Sequence, residues 1–357
     1  AEGTNRAVSA RWQQNLVELE RHSGTIVPRE VIADVARLAS QFISGRASLF
    51  ARRIADRRIV DGHADLLADD IFCMPDGPAL LDCLEFDDRL RYVDGVDDAA
   101  FLAMDLEFLG RKDLGDHFRD EYLRSADDAA PQALWDFYVA YRAVVRAKVD
   151  CIRVTQGCRT AAADAGRHLG IALDHLRAGT VQLILIGGGP GTGKTTLSRA
   201  LAQQSGAEVI STDDVRRELE QGGVICGPVG ELNAGLYAPE NVSLVYDEVI
   251  RRARALLTVG RSVILDGTWR DALQRERARH LASETASRMI ELTCAVSRDT
   301  ASERVQNRTD TTSDATAEIA VALAQRDAES FDGHRIDTSR PLADSLAEAQ
   351  EICCLAI

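Results

Sequence analysis

A glycine-rich segment that ends in a lysine and a threonine has the residue types and spacing needed to hold a phosphate. Residues 188–195 read Gly-Gly-Pro-Gly-Thr-Gly-Lys-Thr and fit the pattern GxxxxGK[ST]. The apolar run Val181–Ile186 precedes the segment, and a predicted helix, Lys194–Gln203, begins on its lysine. Glycines let backbone N–H groups wrap around a phosphate, and the helix N-terminus adds the positive end of its dipole. The sequence therefore predicts a phosphate-binding loop rather than a plain strand-to-helix turn.

Each residue of this loop has a predicted role in nucleotide binding. Lys194 reaches the β- and γ-phosphates, and the Thr195 hydroxyl is a ligand for Mg²⁺. Lysine occurs at only two other positions, 112 and 148, which makes a chance match to the pattern rare. ATP and Mg²⁺ are therefore the predicted cofactors. Nucleotide contacts are expected from Gly188, Gly189, Pro190, Gly191, Thr192, Gly193, Lys194, Thr195 and Thr196.

A carboxylate and an arginine follow the next apolar run, Glu208–Ser211. Asp213 would lie at the carboxyl end of a parallel strand, where a carboxylate can take the proton of an attacking hydroxyl. Arg216, three residues later, can hold substrate or phosphate oxygens. The alternative is structural: the Ser-Thr pair at 211–212 caps a helix, and the carboxylates at 213 and 214 only favour its dipole.

Three further charged residues complete the predicted site. Asp266 ends the apolar run Ser262–Asp266 and is predicted to contact Mg²⁺ directly or through water, with a cap on the next turn as the alternative. Arg304 and Arg308 lie one helical turn apart, ahead of a polar stretch. We predict that they cover the nucleotide and neutralise charge during transfer, and the alternative is a solvated helix face.

The elements that must position these residues alternate between apolar runs and helical segments. Such alternation indicates βαβ units and a parallel sheet. The sequence therefore predicts an α/β domain over residues 177–357, in which helices flank a parallel sheet. The predicted strands are Val181–Ile186, Glu208–Ser211, Ser262–Asp266, Met289–Val296 and Arg335–Asp337.

Residues 1–176 follow a different pattern, in which helical periodicity dominates. Two short apolar runs interrupt it, Ile71–Met74 and Ala79–Leu84. The segment Pro75-Asp76-Gly77 lies between them and is a hairpin turn signal. We therefore predict a mainly α domain with one β-hairpin ahead of the α/β domain.

Composition and charge disfavour several classes of protein. The chain has 357 residues, of which 45% are hydrophobic and 27% charged, as in folded proteins. Aromatic residues make up only 5%, so we expect aliphatic side chains to fill the core. The net charge is −14, which argues against a partner as acidic as nucleic acid but leaves room for a small anion in a local arginine pocket.

Targeting signals and cysteine usage predict a cytoplasmic protein. The longest apolar run, Val181–Ile186, is far too short for a bilayer, which needs about 20 residues, so no membrane partner is expected. The first 30 residues contain no apolar segment of the kind found in signal peptides. The eight cysteines show no metal-binding spacing, and we expect free thiols.

Four segments of the α/β half resemble the small P-loop kinases, a group that includes gluconate kinases, chloramphenicol phosphotransferases, zeta toxins and the 5′-kinase of polynucleotide kinase. The resemblance covers about residues 181–340. It implies Asp213 as general base, Arg216 on the acceptor or its phosphate, and Arg304 and Arg308 in a LID. It does not identify the acceptor. The segments are Gly189–Thr196, Ser211–Arg216, Val263–Thr268 and Glu303–Arg308.

The hairpin region is similar to the C-lobe of aminoglycoside phosphotransferase-like kinases. That pattern is His-Gly-Asp-Leu, an Asn five residues after the Asp, and an Asp beyond a short hairpin; here residues 63–66 read His-Ala-Asp-Leu. The resemblance implies a second site with Asp65 as base and Asp70 and Asp82 as metal ligands. Ala64 stands in place of the Gly, and Asp70 in place of the Asn. We expect the Gly-rich N-lobe to be absent from these residues, and a structural or substrate-positioning role for this domain. The alternative is an upstream lobe that has been lost by truncation.

The combination resembles a group of two-part bacterial proteins found in mycobacteria and other actinobacteria, often labelled AAA-family ATPase or aminoglycoside phosphotransferase. We predict a Mg-ATP-dependent kinase that phosphorylates a hydroxyl of a small molecule: a sugar, sugar acid, nucleotide sugar or antibiotic. Two alternatives stay open. One is an ATP-binding regulatory switch without an acceptor. The other is a polynucleotide 5′-hydroxyl kinase, which the acidic charge disfavours.

Overall fold

The structure is a computed structural model that describes residues 2–85, 88–228, 234–306 and 333–355. The chain divides into two compact units. The first contains residues 1–180 and 258–260, and the second contains residues 181–257 and 261–357. Within the described ranges, none of the helices has the length and hydropathy that a bilayer crossing requires. All eight cysteines are free thiols, as predicted.

The first unit is mostly helical, in agreement with the sequence pattern. Local signals begin its helices: the Thr4 hydroxyl accepts a hydrogen bond from the Ala7 N–H at 3.2 Å, and Pro28 directly precedes the second helix. The helices are α1 (Asn5–Glu20), α2 (Arg29–Gly45), α3 (Ala47–Ala55), α4 (Asp88–Arg91), α5 (Gly95–Phe108), α6 (Lys112–Ser125), α7 (Gln132–Thr155) and α8 (Ala161–Ala178).

Two short antiparallel pairs accompany these helices. Strand β1 (Ile59–Asp61) pairs with β4 (Tyr92–Asp94), and β2 (Ile71–Met74) forms a hairpin with β3 (Gly77–Leu80). The hairpin is confirmed, but its second strand was predicted too late in the chain. Met74 pairs with Gly77, so the turn has only two residues. The strand ends at Leu80 because the backbone turns at Asp82, whose φ is +64°.

Aromatic side chains form the centre of the first unit, contrary to the expectation of an aliphatic core throughout. Trp12, Phe42, Phe50 and Phe137 are all at most 6% exposed. The Phe42 and Phe137 rings stack with centroids 4.3 Å apart, and Trp12 lies 5.3 Å from Phe137. The aromatic content of the whole chain is low, but it does not show that these aromatic residues are gathered in one unit.

A buried ion triad joins α3, the start of α5 and the segment after α6. The Arg53 Nε donates to Asp94 at 2.8 Å, and its NH1 donates to Asp128 at 2.5 Å. The three side chains are 6%, 1% and 4% exposed. Burial alone would lower the pKa of Arg53, but its two carboxylate partners outweigh burial and raise it. Each charge in the triad is therefore compensated by a close opposite charge.

A second buried network links α5, α7 and α8 through His175. Its Nδ1 lies 2.7 Å from an Asp136 carboxylate oxygen, and its Nε2 lies 2.9 Å from a Glu107 carboxylate oxygen. Burial disfavours the charged imidazole, but these two carboxylates outweigh burial and raise the pKa of His175 from 6.5 to about 9. The imidazolium is therefore the form that the fold stabilises at neutral pH.

The second unit is an α/β domain, as predicted. The phosphate-loop helix ends where Gly206 adopts a φ of +69°. Its elements are β5 (Gln182–Gly187), α9 (Lys194–Ser205), β6 (Glu208–Ser211), α10 (Thr212–Gln221), α11 (Pro239–Leu257), β7 (Val263–Asp266), α12 (Ala272–Glu284), β8 (Arg288–Ala295), α13 (Arg298–Gln306), β9 (His334–Asp337) and a last described helix, Leu342–Leu355.

Five parallel strands in the order β6-β7-β5-β8-β9 form the sheet. Each predicted strand is confirmed to within one residue at either end. The central strand β5 is buried on both faces, and Leu183, Ile184, Leu185 and Ile186 are at most 1% exposed. Asp266 pairs with Ile186 on one side and with Ser211 on the other. This register brings the carboxyl ends of β5, β6 and β7 to one edge.

Removing the arginine of the ion triad should destabilise the first unit, because two carboxylates would stay buried without their partner. We expect Arg53→Leu to lower the free energy of unfolding by about 3 to 5 kcal/mol in urea titrations followed by circular dichroism. Arg52→Leu is the matched control. Arg52 forms an exposed pair with Asp56, at 67% and 52% side-chain exposure, and its loss should cost less than about 1 kcal/mol. Equal losses in both variants would contradict the prediction.

The His175 network should make stability depend on pH above neutrality. A group whose pKa rises on folding stabilises the fold below its unfolded pKa, so this contribution is complete below pH 6.5 and is lost as the pH rises through about 9. We expect the urea midpoint to fall between pH 6.5 and 9, and His175→Gln to flatten that decline. His280→Gln, at a side chain 78% exposed, is the control and should keep the wild-type slope. A wild-type slope in His175→Gln would overturn the assignment.

Candidate functional site

The loop between β5 and α9 has a backbone that favours glycine. Gly188, Gly191 and Gly193 have φ values of +140°, +79° and +85°, a region that side chains rarely permit. A Cβ built on Gly188 would lie 2.7 Å from the Thr192 hydroxyl and 2.8 Å from the Cys294 carbonyl oxygen. A Cβ built on Gly191 would collide with the Ala301 carbonyl oxygen. The glycines are therefore required by conformation and, at positions 188 and 191, also by space.

The loop is closed by its own side chains. The Thr192 hydroxyl donates to the Gly189 carbonyl at 2.8 Å, and the Lys194 ammonium donates to the same carbonyl at 3.5 Å. Lys194 therefore lies folded across the loop, while Thr196 is exposed on the first turn of α9. Gly189 and Pro190 are buried in the loop. An anion at this helix start would meet backbone N–H groups and the lysine together.

Thr195 and Asp266 are brought together at the edge of the sheet. The Thr195 hydroxyl donates to one carboxylate oxygen of Asp266 at 2.7 Å. Asp266 is 2% exposed, and its other oxygen is buried with no hydrogen-bond partner among the described residues. Burial raises the pKa of Asp266, and the nearby Lys194 charge opposes that effect. A hydroxyl and a carboxylate with a spare buried oxygen are the donor types that a hard divalent cation prefers.

The predicted acceptor-side pair lies at the start of α10. The Ser211 hydroxyl accepts from the Asp213 N–H at 3.3 Å, so the capping interpretation of this serine is correct. The Asp213 carboxylate pairs instead with Arg216, whose NH1 lies 2.6 Å from its Oδ1. The Asp213 side chain is 25% exposed and that of Arg216 is 8% exposed. Helix capping and a solvent-facing carboxylate therefore coexist in this turn.

One aromatic side chain that the sequence analysis did not assign to the site contacts this pair, and two more form a cluster in the same unit. The Tyr237 ring centroid lies 4.5 Å from the centre of the Arg216 guanidinium. Tyr246 and Trp269 meet edge to face, with ring centroids 4.9 Å apart. Trp269 is fully buried with a φ of +50°, a conformation rare for so large a residue. The sequence held a possible signal, because only four aromatic residues follow position 180 and these are three of them.

Arg304 lies beside the phosphate loop. Its NH2 donates to the Thr338 carbonyl at 2.9 Å, and the Thr338 hydroxyl donates to the Thr192 carbonyl at 2.5 Å. Thr338 was not singled out by the sequence analysis, and no motif marks it. Arg308, the other predicted LID arginine, lies outside the described residues.

The predicted second site lies on two loops of the first unit that are joined by hydrogen bonds. Leu84 N–H donates to the His63 carbonyl at 3.2 Å, and Leu81 N–H donates to the Asp70 carbonyl at 3.0 Å. Asp65 lies on the first loop and Asp82 follows the hairpin. In the described parts of the chain, no three His, Cys, Asp or Glu side chains are grouped to hold a metal ion. The roles of these three aspartates stay a prediction.

Ala64 is held in a strained backbone conformation. Its φ is +68°, a region that glycine adopts far more readily than alanine. The Ala64 N–H donates to Asp98 at 2.6 Å, and its carbonyl accepts from the buried Arg142 at 2.9 Å. Strain of this kind persists only where surrounding bonds enforce it. The loop is therefore fixed by the side chains of α5 and α7.

Over part of its length the chain is similar to a protein-family model and to several solved structures. A family model described as an AAA domain, AAA_33, matches residues 183–330. Among solved structures, a gluconokinase from Sinorhizobium meliloti is 16% identical and has a TM-score of 0.37, over 49% of this chain and 92% of its own. A sugar kinase from Janibacter is 17% identical with a TM-score of 0.38, over 49% of this chain and 98% of its own.

Relatives among the mycobacterial proteins are similar along the whole chain. The Mycobacterium tuberculosis protein Rv2004c is 56% identical over 356 residues, which is 100% of this chain and 72% of the relative. The Mycobacterium bovis protein Mb2027c matches to the same extent. Both are described as uncharacterized proteins, and they contribute no substrate. At this identity and coverage, the chain belongs to the family of the mycobacterial protein Rv2004c.

Proposed function

We propose that the chain is a Mg-ATP-dependent kinase that transfers the γ-phosphoryl group to a hydroxyl of a small molecule. The P-loop fold supports a nucleotide-dependent phosphotransferase. The observation that carries the kinase assignment is the Asp213–Arg216 pair, at 2.6 Å, on the strand edge that also bears the phosphate loop. A carboxylate at that edge can take the proton of an acceptor hydroxyl, whereas a nucleotide-gated switch without an acceptor needs no such base.

The chemical step uses groups of this chain at both ends of the transferred phosphoryl group. The loop N–H groups and Lys194 hold the nucleotide phosphates, and Arg304 offsets charge that builds up during transfer. The acceptor O–H bond breaks, and its proton moves to the Asp213 carboxylate. The acceptor oxygen forms a bond to the γ-phosphorus, and the γ-phosphorus–oxygen bond breaks with its electron pair leaving on ADP. Positioning the two substrates in line supplies much of the rate gain.

Thr195 and Asp266 are the residues that would hold Mg²⁺. Their oxygens fit a hard cation, because Asp266 has a buried oxygen with no partner among the described residues. When bound, Mg²⁺ neutralises negative charge on the β- and γ-phosphates. Thr195 supplies a neutral oxygen and Asp266 a charged one.

Two other functions remain as alternatives that experiment can separate. A regulatory ATP switch would use the phosphate loop but release only inorganic phosphate. A polynucleotide 5′-kinase would need a basic channel with stacking aromatics, and the net charge of −14 disfavours that partner. The acceptor classes that we propose are sugars, sugar acids, nucleotide sugars and hydroxyl-bearing antibiotics.

Phosphoryl transfer from labelled ATP tests the proposal directly. The protein is incubated with γ-labelled ATP, Mg²⁺ and a polar bacterial metabolite extract, and the products are separated. We expect label in an organic product, with the rate reduced about 10²- to 10⁴-fold in Asp213→Ala and in Lys194→Ala. Asp214→Ala, on the same helical turn, is the control and should keep the rate. If label is released only as inorganic phosphate, at the same rate in Asp213→Ala as in wild type, the result would contradict the kinase proposal and favour the regulatory switch.

Asp266→Asn should separate the stability cost of a buried carboxylate from its proposed role in binding Mg²⁺. Because burial raises the pKa of Asp266, the fold disfavours its ionised form. The neutral amide should therefore leave the thermal midpoint of the nucleotide-free protein at or above the wild-type value. The variant should also lose most of the rise in midpoint that Mg-ATP gives to wild type in calorimetry.

Asp214→Asn is the control for this experiment, because its side chain is 42% exposed at the same edge. It should show the full Mg-ATP shift. A full shift in Asp266→Asn as well would contradict its assignment as a metal ligand.

A further inference from the structure

We propose that a steric contact between Gly267 and Thr212 positions the general base for phosphoryl transfer, because it fixes the start of α10 against the end of β7. Gly267 directly follows Asp266 in the chain, and Thr212 directly precedes Asp213. Both are positioning residues, since neither touches a substrate and each acts through the carboxylate beside it. The inference rests on the proposed kinase function and deepens it on the acceptor side of the site.

The backbone pairing between β6 and β7 stops one residue short of this contact. Ser211 pairs with Asp266, and this pair is the last of the parallel ladder. The Gly267 N–H donates instead to the Ile186 carbonyl of β5 at 3.3 Å, so the chain turns away from β6 there. Beyond the ladder, side-chain packing rather than strand hydrogen bonding holds the start of α10 at this edge.

The two segments approach too closely to admit a side chain at position 267. A Cβ built on Gly267 would lie 2.8 Å from the Thr212 Cγ2 and 3.0 Å from its Oγ1. Gly267 is not among the glycines with positive φ, so space rather than conformation requires glycine here. Thr212 is 4% exposed and β-branched, which leaves its side chain little freedom to turn aside. The contact therefore sets the distance between the end of β7 and the start of α10.

Trp269 prevents Gly267 from moving away from Thr212. A Cβ at position 267 would also lie 3.1 Å from the Trp269 indole nitrogen. Trp269 is fully buried with a φ of +50°, and its indole N–H donates to the Leu265 carbonyl at 3.2 Å. The Trp269 carbonyl accepts a hydrogen bond from Arg275 at 2.8 Å. Bonds on both sides of a strained residue make the turn after β7 rigid.

Tyr246 of α11 holds the same turn from a further direction. Its ring meets that of Trp269 edge to face, with centroids 4.9 Å apart. Its hydroxyl forms a hydrogen bond with the Thr268 side chain and accepts another from the Trp269 N–H. Helix α11 also contacts α10, where Arg252 pairs with Glu218 at 2.6 Å. The turn after β7 and the acceptor-side helix are therefore packed against one common element.

The consequence for catalysis follows from the dependence of phosphoryl transfer on geometry. The acceptor oxygen must line up with both the γ-phosphorus and the Asp213 carboxylate, and a displacement of about 1 Å can lower the rate about 100-fold. Moving the start of α10 away from β7 displaces Asp213 but leaves the phosphate loop and Asp266 in place. The contact should therefore affect transfer to the acceptor and not the binding of Mg-ATP.

A pair of compensating substitutions in the full chain tests the contact. Gly267→Ala places a methyl group against Thr212, and we expect the rate of organic labelling from γ-labelled ATP to fall about 10- to 100-fold. The rise in thermal midpoint that Mg-ATP causes should match that of wild type. Thr212→Ala removes both crowding atoms, so the double variant Gly267→Ala/Thr212→Ala should recover most of the lost rate. A double variant no faster than Gly267→Ala would overturn the proposal.

Variants of Thr212 alone test the contact without adding atoms to the turn. Thr212→Ala should lower the labelling rate about three- to tenfold, because the start of α10 is no longer held at its distance. Thr212→Val keeps the branched shape without the hydroxyl and should retain the wild-type rate. Equal losses in the two variants would contradict a steric role, and so would an unchanged rate in Thr212→Ala.

The wild-type result separates this inference from the proposed function. If wild type gives no labelled organic product, the kinase proposal fails and this inference fails with it. If wild type gives product and Gly267→Ala labels at the same rate, only the positioning role is contradicted. A parallel loss of labelling and of the Mg-ATP midpoint shift in Gly267→Ala would also contradict that role, since a general structural defect has that signature.

Discussion

The hydrogen bond between Thr195 and Asp266 ties the phosphate loop to the end of the neighbouring strand. It forms because β5 and β7 are parallel and in register, with Ile186 beside Asp266. The contact leaves the other Asp266 oxygen buried and without a partner among the described residues. A buried acceptor without a hydrogen bond lowers the stability of a fold. This register brings three features to one edge of the sheet: the phosphate loop, the acidic end of β7 and the start of α10.

Charges in this protein fall into two groups according to burial. Many ion pairs are exposed, and those that connect neighbouring turns of one helix, such as Arg37–Asp34 and Arg124–Glu121, each contribute little to stability. The triad around Arg53 is buried and balanced by partners, so it specifies how α3 and α5 meet. Asp266 and Arg216 are buried with hydrogen-bonding capacity to spare, and both lie at the candidate site.

The six non-glycine residues with positive φ among the described residues include two on loops of interest. Ala64 and Trp269 both have positive φ, at +68° and +50°, and each lies on a loop that sequence motifs had marked for chemistry. Ala64 is held by Asp98 and Arg142, and Trp269 by burial and a hydrogen bond from its indole to Leu265. Rigid loops of this kind keep adjacent polar groups in place, which is what strained segments at functional sites commonly do.

The sequence by itself determined the α/β class, the strand positions to within one residue, and the phosphate loop, because those depend on local periodicity and on glycine's freedom at positive φ. It also placed Asp213 and Asp266 at strand ends. It could not find Tyr237 or Thr338, which reach the site through contacts distant in the chain. Nor could it show that Arg216 is buried while the neighbouring Arg217 is only partly buried. Burial and side-chain partnership depend on how helices pack on the sheet, so tertiary structure alone decided them.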